Sequence, residues 1–279
     1  MKKILVPCDF STQSNEAYKV AIELATRAKG EIFLAHVIAI PTLYNTEYAG
    51  DPLAFDPLYL KRMEEDIKKE LEKMKKQAAS DSIVVSTEVV YGELISGIKQ
   101  IAETRKIDQI VMGTAGASGF TEIFIGSNTE KVVRFSPVPV LAVRKAIGLR
   151  SVRNILLPST LDLNQTDFVN KLKELQKFFD ATLHILFINT PAHFRRDAEA
   201  KEALEEFAKH YKLTNFKTYF RNYVREDHGI IDFAYSEQMD IIAMATHARK
   251  GLAHLFNSSV TESVVNHIQS PIWTYCLKG

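Results

Sequence analysis

The chain has 279 residues, 46% hydrophobic and 25% charged, and its basic and acidic side chains nearly cancel to leave +1 with histidine neutral. That balance belongs to a folded globular chain and gives no overall electrostatic pull toward nucleic acid or an anionic membrane. No apolar run reaches the about 18 residues that a bilayer requires.

The first stretch, "MKKILVPCDF", carries two lysines before an apolar run, as a signal peptide would. The run is short, is stopped by Pro7 and Asp9, and lacks a small-residue cleavage site, so it reads as a buried strand. Cys8 and Cys276 form no metal spacing and no disulfide framework, and the chain is expected to be cytoplasmic.

Further strands are expected at 31–38, 83–90, 107–113 and 138–144, after the first at 3–8, each a short run rich in Ile, Val, Leu and Phe. Helical spacing lies between them, in Ala17, Ala21, Leu24, Ala25 and Ala28, and again in Leu60, Met63, Ile67, Leu71 and Met74. The charge-rich stretch Arg62–Lys76 fits a solvated amphipathic helix with Glu–Lys pairs rather than a nucleic-acid patch. A long loop, Ala39–Pro57, with Tyr44, Tyr48 and Phe55, reads as either a lid or a surface excursion. Near-continuous apolar strands alternating with helices predict doubly wound parallel sheets.

After the fifth strand the plan starts again. "KKILVPCDFS" (Lys2–Ser11) pairs without a gap with "RNILLPSTLD" (Arg153–Asp162), and "VMGTAGASGFTEIF" pairs with "AMATHARKGLAHLF" (Ala243–Phe256). Two tandem domains are expected, 1–147 and 151–279, with the boundary near Lys145–Ser151.

The halves differ most after strand four. The first has "GTAGASGFTEIFIGSNTEK", with Gly113, Gly116 and Gly126 followed by Ser127; the second has "ATHARKGLAHLFNSSVTES", and all three glycines are gone. In an open α/β sheet the ends of strands one and four ("PCD" and "VMG") are candidates to flank the crevice where ligands bind. A glycine turn leading there into a helix N-terminus near Ser127 describes a phosphate cradle. It is neither a Walker A loop nor a G-x-G-x-x-G turn. Ser127-x-x-Glu130 and Ser259-x-x-Glu262 also read as capping boxes, which explains Ser and Glu in both copies. The second copy uses Ala245, Ala248 and Ser258 instead, so the glycines are assigned to a ligand.

G-x-x-G-x9-G-Ser, preceded by Met112 and closing on "PVPVLAVR", together with the opening "ILVPCDFS", resembles the nucleotide-binding signature of the universal stress protein family. The resemblance covers both halves. It implies an adenine nucleotide alpha hydrolase-like fold with strand order 3-2-1-4-5, and pairing through fifth strands, here within one chain as a pseudo-dimer; a homodimer of tandem chains stays open. It implies ATP, with Mg²⁺, as ligand. Asp9 would accept from the adenine amino group with Pro7 nearby, and Val37 and Met112 would enclose the base. Gly113, Gly116 and Gly126 would approach ribose and phosphates, and Ser127 and Asn128 would meet phosphate oxygens. Asp9 also reads as a turn or N-cap residue before the first helix. Ala115 departs from the family, where many members carry histidine.

In the second half Thr160 stands at the Asp9 position, and nucleotide is not expected there. His247, Arg249 and His254 cluster in its loop, and Asp227 and His228 are expected at the end of its third strand; no pair has strong metal-ligand spacing, so a second ligand or metal stays open. The implied function is a cytoplasmic ATP-binding stress-response regulator with the second domain as built-in partner. The alternatives are a weak ATPase using the same pocket, or a nucleotide-free interaction scaffold; the protein partner is not named by the sequence.

Overall fold

The structure is a computed structural model that describes residues 1–39, 57–81, 83–114, 126–146, 148–247 and 260–277. In the first half the elements are β1 (Lys3–Pro7), α1 (Thr12–Ala28), β2 (Glu31–Ile38), α2 (Pro57–Lys75), β3 (Val84–Tyr91), α3 (Leu94–Arg105), β4 (Gln109–Gly113), α4 (Ser127–Phe135) and β5 (Val140–Val143). The second half follows the same plan with β6 (Asn154–Pro158), α5 (Thr166–Phe179), β7 (Thr182–Asn189), α6 (Asp197–His210), β8 (Phe216–Asn222), α7 (Glu226–Ser236), β9 (Ile241–His247), α8 (Val260–His267) and β10 (Ile272–Leu277). The loop expected over Ala39–Pro57 lies almost wholly outside the described residues.

All ten strands join one sheet in the order β3-β2-β1-β4-β5-β10-β9-β6-β7-β8. Each half is therefore a parallel sheet of order 3-2-1-4-5. The seam is the antiparallel pairing of β5 with β10, in which Leu141 faces Trp273 and Ala142 faces Ile272. The apolar runs are explained by burial on both sides: Leu5, Val6, Ile110, Val111, Leu156 and Ile242 are all fully buried.

The repeat extends to its fastenings. Asp108 accepts backbone N–H bonds from Lys2 (2.6 Å) and Lys3 (3.0 Å), and Asp240 does the same for Arg153 (2.8 Å) and Asn154 (2.9 Å). Each carboxylate sits just before a fourth strand and pins the start of a first strand. Phe10 and Leu161 occupy the same left-handed conformation, φ 65° and φ 64°, immediately after those strands. An L side chain rarely adopts that region, so this kink is a shared requirement of the fold.

One face of the sheet carries a continuous apolar core through both halves, including Val6, Leu141, Leu157 and Trp273. On the other face each half has its own core, around Ile110 in the first and Ile242 in the second. Arg27 of α1 lies 5.3 Å from the ring centres of both Phe178 and Phe179 of α5, a cation–π contact between halves. The connecting segment is held by α1: Glu16 accepts from the Ala146 N–H (2.7 Å) and Glu23 from the Leu149 N–H (2.8 Å). On α2 the acid–base pairs form, mostly three residues apart, as Lys69–Asp66 and Lys75–Glu72, with Lys68–Glu64 four apart.

Asp227 is not at the end of a strand, as its sequence position suggests, but in the first turn of α7. The tight turn after β8 lets the helix start at Glu226. Its carboxylate pairs with Arg225 (2.6 Å) and accepts from the Ser263 hydroxyl of α8 (2.6 Å). Burial works to raise its pKa, and the bonds from Arg225 and Ser263 outweigh it, bringing it to about 2. It is thus a structural ion pair, and among the described residues no group of three potential metal ligands exists.

Two stability measurements follow from this packing. Gln109 is 1% exposed with both amide atoms lacking a hydrogen-bond partner among the described residues, and the repeat places Ile241 at the same point. Gln109→Ile is expected to raise stability by about 1–2 kcal/mol in urea denaturation, since an unpaired buried amide costs about that much; a loss would show that the amide is bonded. For Asp227, the folded pKa lies below the ordinary 3.8, so its contribution is present above pH 4 and fades as pH falls through 2. Asp227→Asn is expected to cost about 2 kcal/mol at pH 7. The gap to the wild type should close toward pH 2, and a pH-independent gap would contradict the assignment.

Candidate functional site

The carboxyl ends of β1, β2 and β4 open onto a cleft of about 210 Å³, closed on one side by the first turn of α4. Pro7, Asp9, Val37, Met112, Gly113 and Asn128 all line it, together with His36, Leu94 and Thr129. Gly126 and Ser127 adjoin Asn128 at the start of α4, and Gly116 lies outside the described residues. The crevice is where an open α/β sheet reverses its winding, since β1 has β2 on one side and β4 on the other.

Each position has a local cause. Met112 is buried, and its strand ends at Gly113, whose carbonyl accepts from the Thr129 hydroxyl at 2.8 Å, locking the first turn of α4 to β4. The N–H groups of that turn therefore open on the cleft, where the helix dipole favours negative charge. Asp9 is exposed to the cleft, and its carboxylate accepts from the Ser11 N–H at 3.0 Å, while Ser11 caps α1 by accepting from Ser14. Burial pushes the Asp9 pKa upward, but the hydrogen bonds from Ser11 and Ser14 prevail and leave it below the ordinary value. Asp9 is thus a turn residue with one oxygen engaged, and it remains an ionised acceptor on the cleft wall. The other wall is His36, whose Nδ1 lies 2.7 Å from the Cys8 carbonyl oxygen and whose ring stacks on Phe10 at 5.2 Å. The described lining residues include no lysine or arginine.

Two readings of the glycine segment change. The N-cap of α4 is Gly126, with no side-chain cap bond, and Ser127 is the first helical residue. Ser127 therefore does not form a capping box with Glu130. Neither Gly113 nor Gly126 has a positive φ. A Cβ on Gly113 would instead collide with the carbonyl of Gln13 in the first turn of α1, so this glycine has a packing cause. The second half does without it because α5 starts late. In the ungapped pairing Leu163 stands opposite Thr12, yet α5 begins only at Thr166, after a turn in which Asp162 accepts from the Asn164 N–H (2.9 Å). With that helical turn missing, Ala245 fits.

The corresponding cleft of the second half is larger, about 400 Å³. Its lining follows the first at several positions, with Thr160 for Asp9, Phe187 for His36, Ile188 for Val37 and Val260 for Asn128, while Glu226 stands where the first has Leu94. His247 ends β9, its side chain lies outside the described residues, and so do Arg249 and His254. Sequence reasoning missed His36, Leu94 and Thr129 in the first cleft, and His193, Phe194, Arg195 and Glu226 in the second. The repeat register was the signal that would have found His36, opposite Phe187.

A sequence model of the universal stress protein family matches residues 1–144 and again 151–275. A universal stress protein of Methanocaldococcus jannaschii is 33% identical over 144 residues, 52% of this chain and 82% of its own length. Universal stress protein YxiE of Bacillus subtilis is 31% identical over 147 residues, 51% of this chain and 98% of its own. The crystal structure of a universal stress protein from Archaeoglobus fulgidus superimposes with a TM-score of 0.78 at 19% identity, covering 99% of this chain and 98% of that one, a likeness of fold. The chain belongs to the universal stress protein family, and it carries the family's fold twice.

Proposed function

We propose that the chain is an ATP-binding regulatory protein of the universal stress type, with ATP and Mg²⁺ held in the first half and the second half acting as its built-in partner. The observation that supports this reading is the convergence of Pro7, Asp9, Val37, Met112 and Asn128 on one cleft at the N-terminus of α4. Asp9 would accept from the adenine amino group, and Val37 with Met112 would enclose the base. The N–H groups at the start of α4 and the Ser127 hydroxyl would meet the phosphates. With no lysine or arginine among the described lining residues, binding fits better than phosphoryl transfer, which needs charge placed where it develops. Nucleotide would then set the conformation or partner choice of the whole chain.

Native mass spectrometry of the full chain with ATP and Mg²⁺ tests this. One ATP per chain is expected. Ser127→Asp is expected to weaken binding at least about tenfold, because it sets a carboxylate against the phosphates while an acid in the first turn favours the helix itself. Asp9→Ala should weaken ATP more than it weakens inorganic triphosphate. No adduct would leave the scaffold reading ahead, and two adducts would show that the second cleft also takes nucleotide. Steady phosphate release abolished by Ser127→Asp would favour the weak ATPase.

A further inference from the structure

We propose that the cleft of the second half is a binding site for an amphipathic monoanion, a small molecule with an apolar body and a single carboxylate-like head. This goes beyond nucleotide binding in the first half and does not rest on it.

The body is specified by the walls. Phe168, Leu186, Phe187, Ile188, Ile230 and Met244 line the cleft, and its volume of about 400 Å³ is in the range of small-molecule sites. In the first half the same space is narrowed by the first turn of α1 and edged by Asp9 and His36; here that turn is absent and the edges are Thr160 and Phe187. A nucleotide base would lose its carboxylate partner, and an alkyl or aryl body would find apolar surface on both sides.

The head is specified by the segment after β7. Asn189 is buried, 4% exposed, and holds this segment from below: it accepts from the Arg195 N–H at 2.8 Å and donates to the Arg195 carbonyl at 3.2 Å and to Asn222 at 2.8 Å. The segment is thus fastened with His193, Phe194 and Arg195 at the cleft. The Arg195 guanidinium lies 5.2 Å over the ring of Phe187, itself a wall of the cleft, and it forms no ion pair among the described residues. Phe194 stands beside it, 71% exposed, an apolar surface with nothing over it among the described residues. An anion there would gain a planar, half-buried donor with its orientation already set. Glu226, in the first turn of α7, lines the same cleft. Its charge opposes a di- or triphosphate more than a ligand with one negative charge.

Isothermal titration of the full chain with straight-chain carboxylates from hexanoate to dodecanoate, below their aggregation concentrations, tests the inference. One carboxylate per chain is expected, with affinity rising about three- to fourfold for each added methylene until the cleft is filled. The n-alcohol of equal length is expected to bind more weakly. Arg195→Gln should reduce carboxylate affinity about tenfold and leave the alcohol unchanged. Thr160→Trp, at an exposed position on the rim, should abolish both. The single tryptophan, Trp273, packs 6.0 Å from Phe168, so its emission should change when the carboxylate binds the wild type and change less in Arg195→Gln at the same carboxylate concentration. Three results would overturn the proposal: no carboxylate binding up to millimolar concentration, binding that both variants retain, or displacement of the carboxylate by ATP one for one.

Discussion

Everything in this molecule hangs on the pairing of β5 with β10. Two parallel half-sheets meet there in opposite directions and become one sheet, and the apolar core on one face runs across the seam. The seam also finishes α4. That helix leaves carbonyls at its last turn that no intrahelical N–H can reach. Two are met from the second half, the Val133 carbonyl by the Thr246 hydroxyl at 3.2 Å and the Arg134 carbonyl by the Cys276 thiol at 3.0 Å. At its other end Thr129 binds β4. The nine-residue helix whose first turn faces the first cleft is therefore fastened at its far end by the other half. Whatever loads that first turn acts on a body shared by both domains.

The two clefts occupy equivalent crevices and differ in their lining side chains and in where one helix begins. Ser11 caps α1 at once, so its first turn reaches β4 and demands Gly113. In the copy, Asp162 folds back on Asn164, and the Tyr211 hydroxyl bridges the Asp162 carbonyl and the Gln165 N–H. The helix waits until Thr166, with Gln165 just before it and Phe168 in its first turn lining the second cleft. A few hydrogen bonds in a turn thus add to the difference between two pockets whose walls also carry different side chains.

The architecture was readable because period and repeat are local signals that compound. Each strand of the first half lies within about two residues of its expected place, and the repeat carried the plan into the second half, where only the end of the third strand was misplaced. The candidate site was readable in part, since Pro7, Asp9, Val37 and Met112 sit at strand ends that the topology must bring together. What was not readable depended on contacts distant in the chain. Gly113 answers to Gln13 some hundred residues earlier, a clash no motif records. Ser127 looked like a cap because Ser-x-x-Glu has that form, yet Gly126 takes the position and frees the hydroxyl. The walls of the second cleft carry no motif, since apolar strand ends look like core until a cavity is found above them.

By spending its fifth-strand edge on itself, the chain changes what that contact can do. Between separate subunits the pairing would depend on concentration; within one chain the partner is always present at the high effective concentration set by a short connection. The connection here is brief and held to α1 by Glu16 and Glu23. A symmetric pair must also accept every substitution in both of its sites at once. A tandem pair is free of that rule: one pocket can be held to its chemistry while the other drifts to a new one, and the assembly stays intact throughout. Thr160 and Phe187 standing in one copy alone where the other has Asp9 and His36 is what that freedom looks like in a sequence.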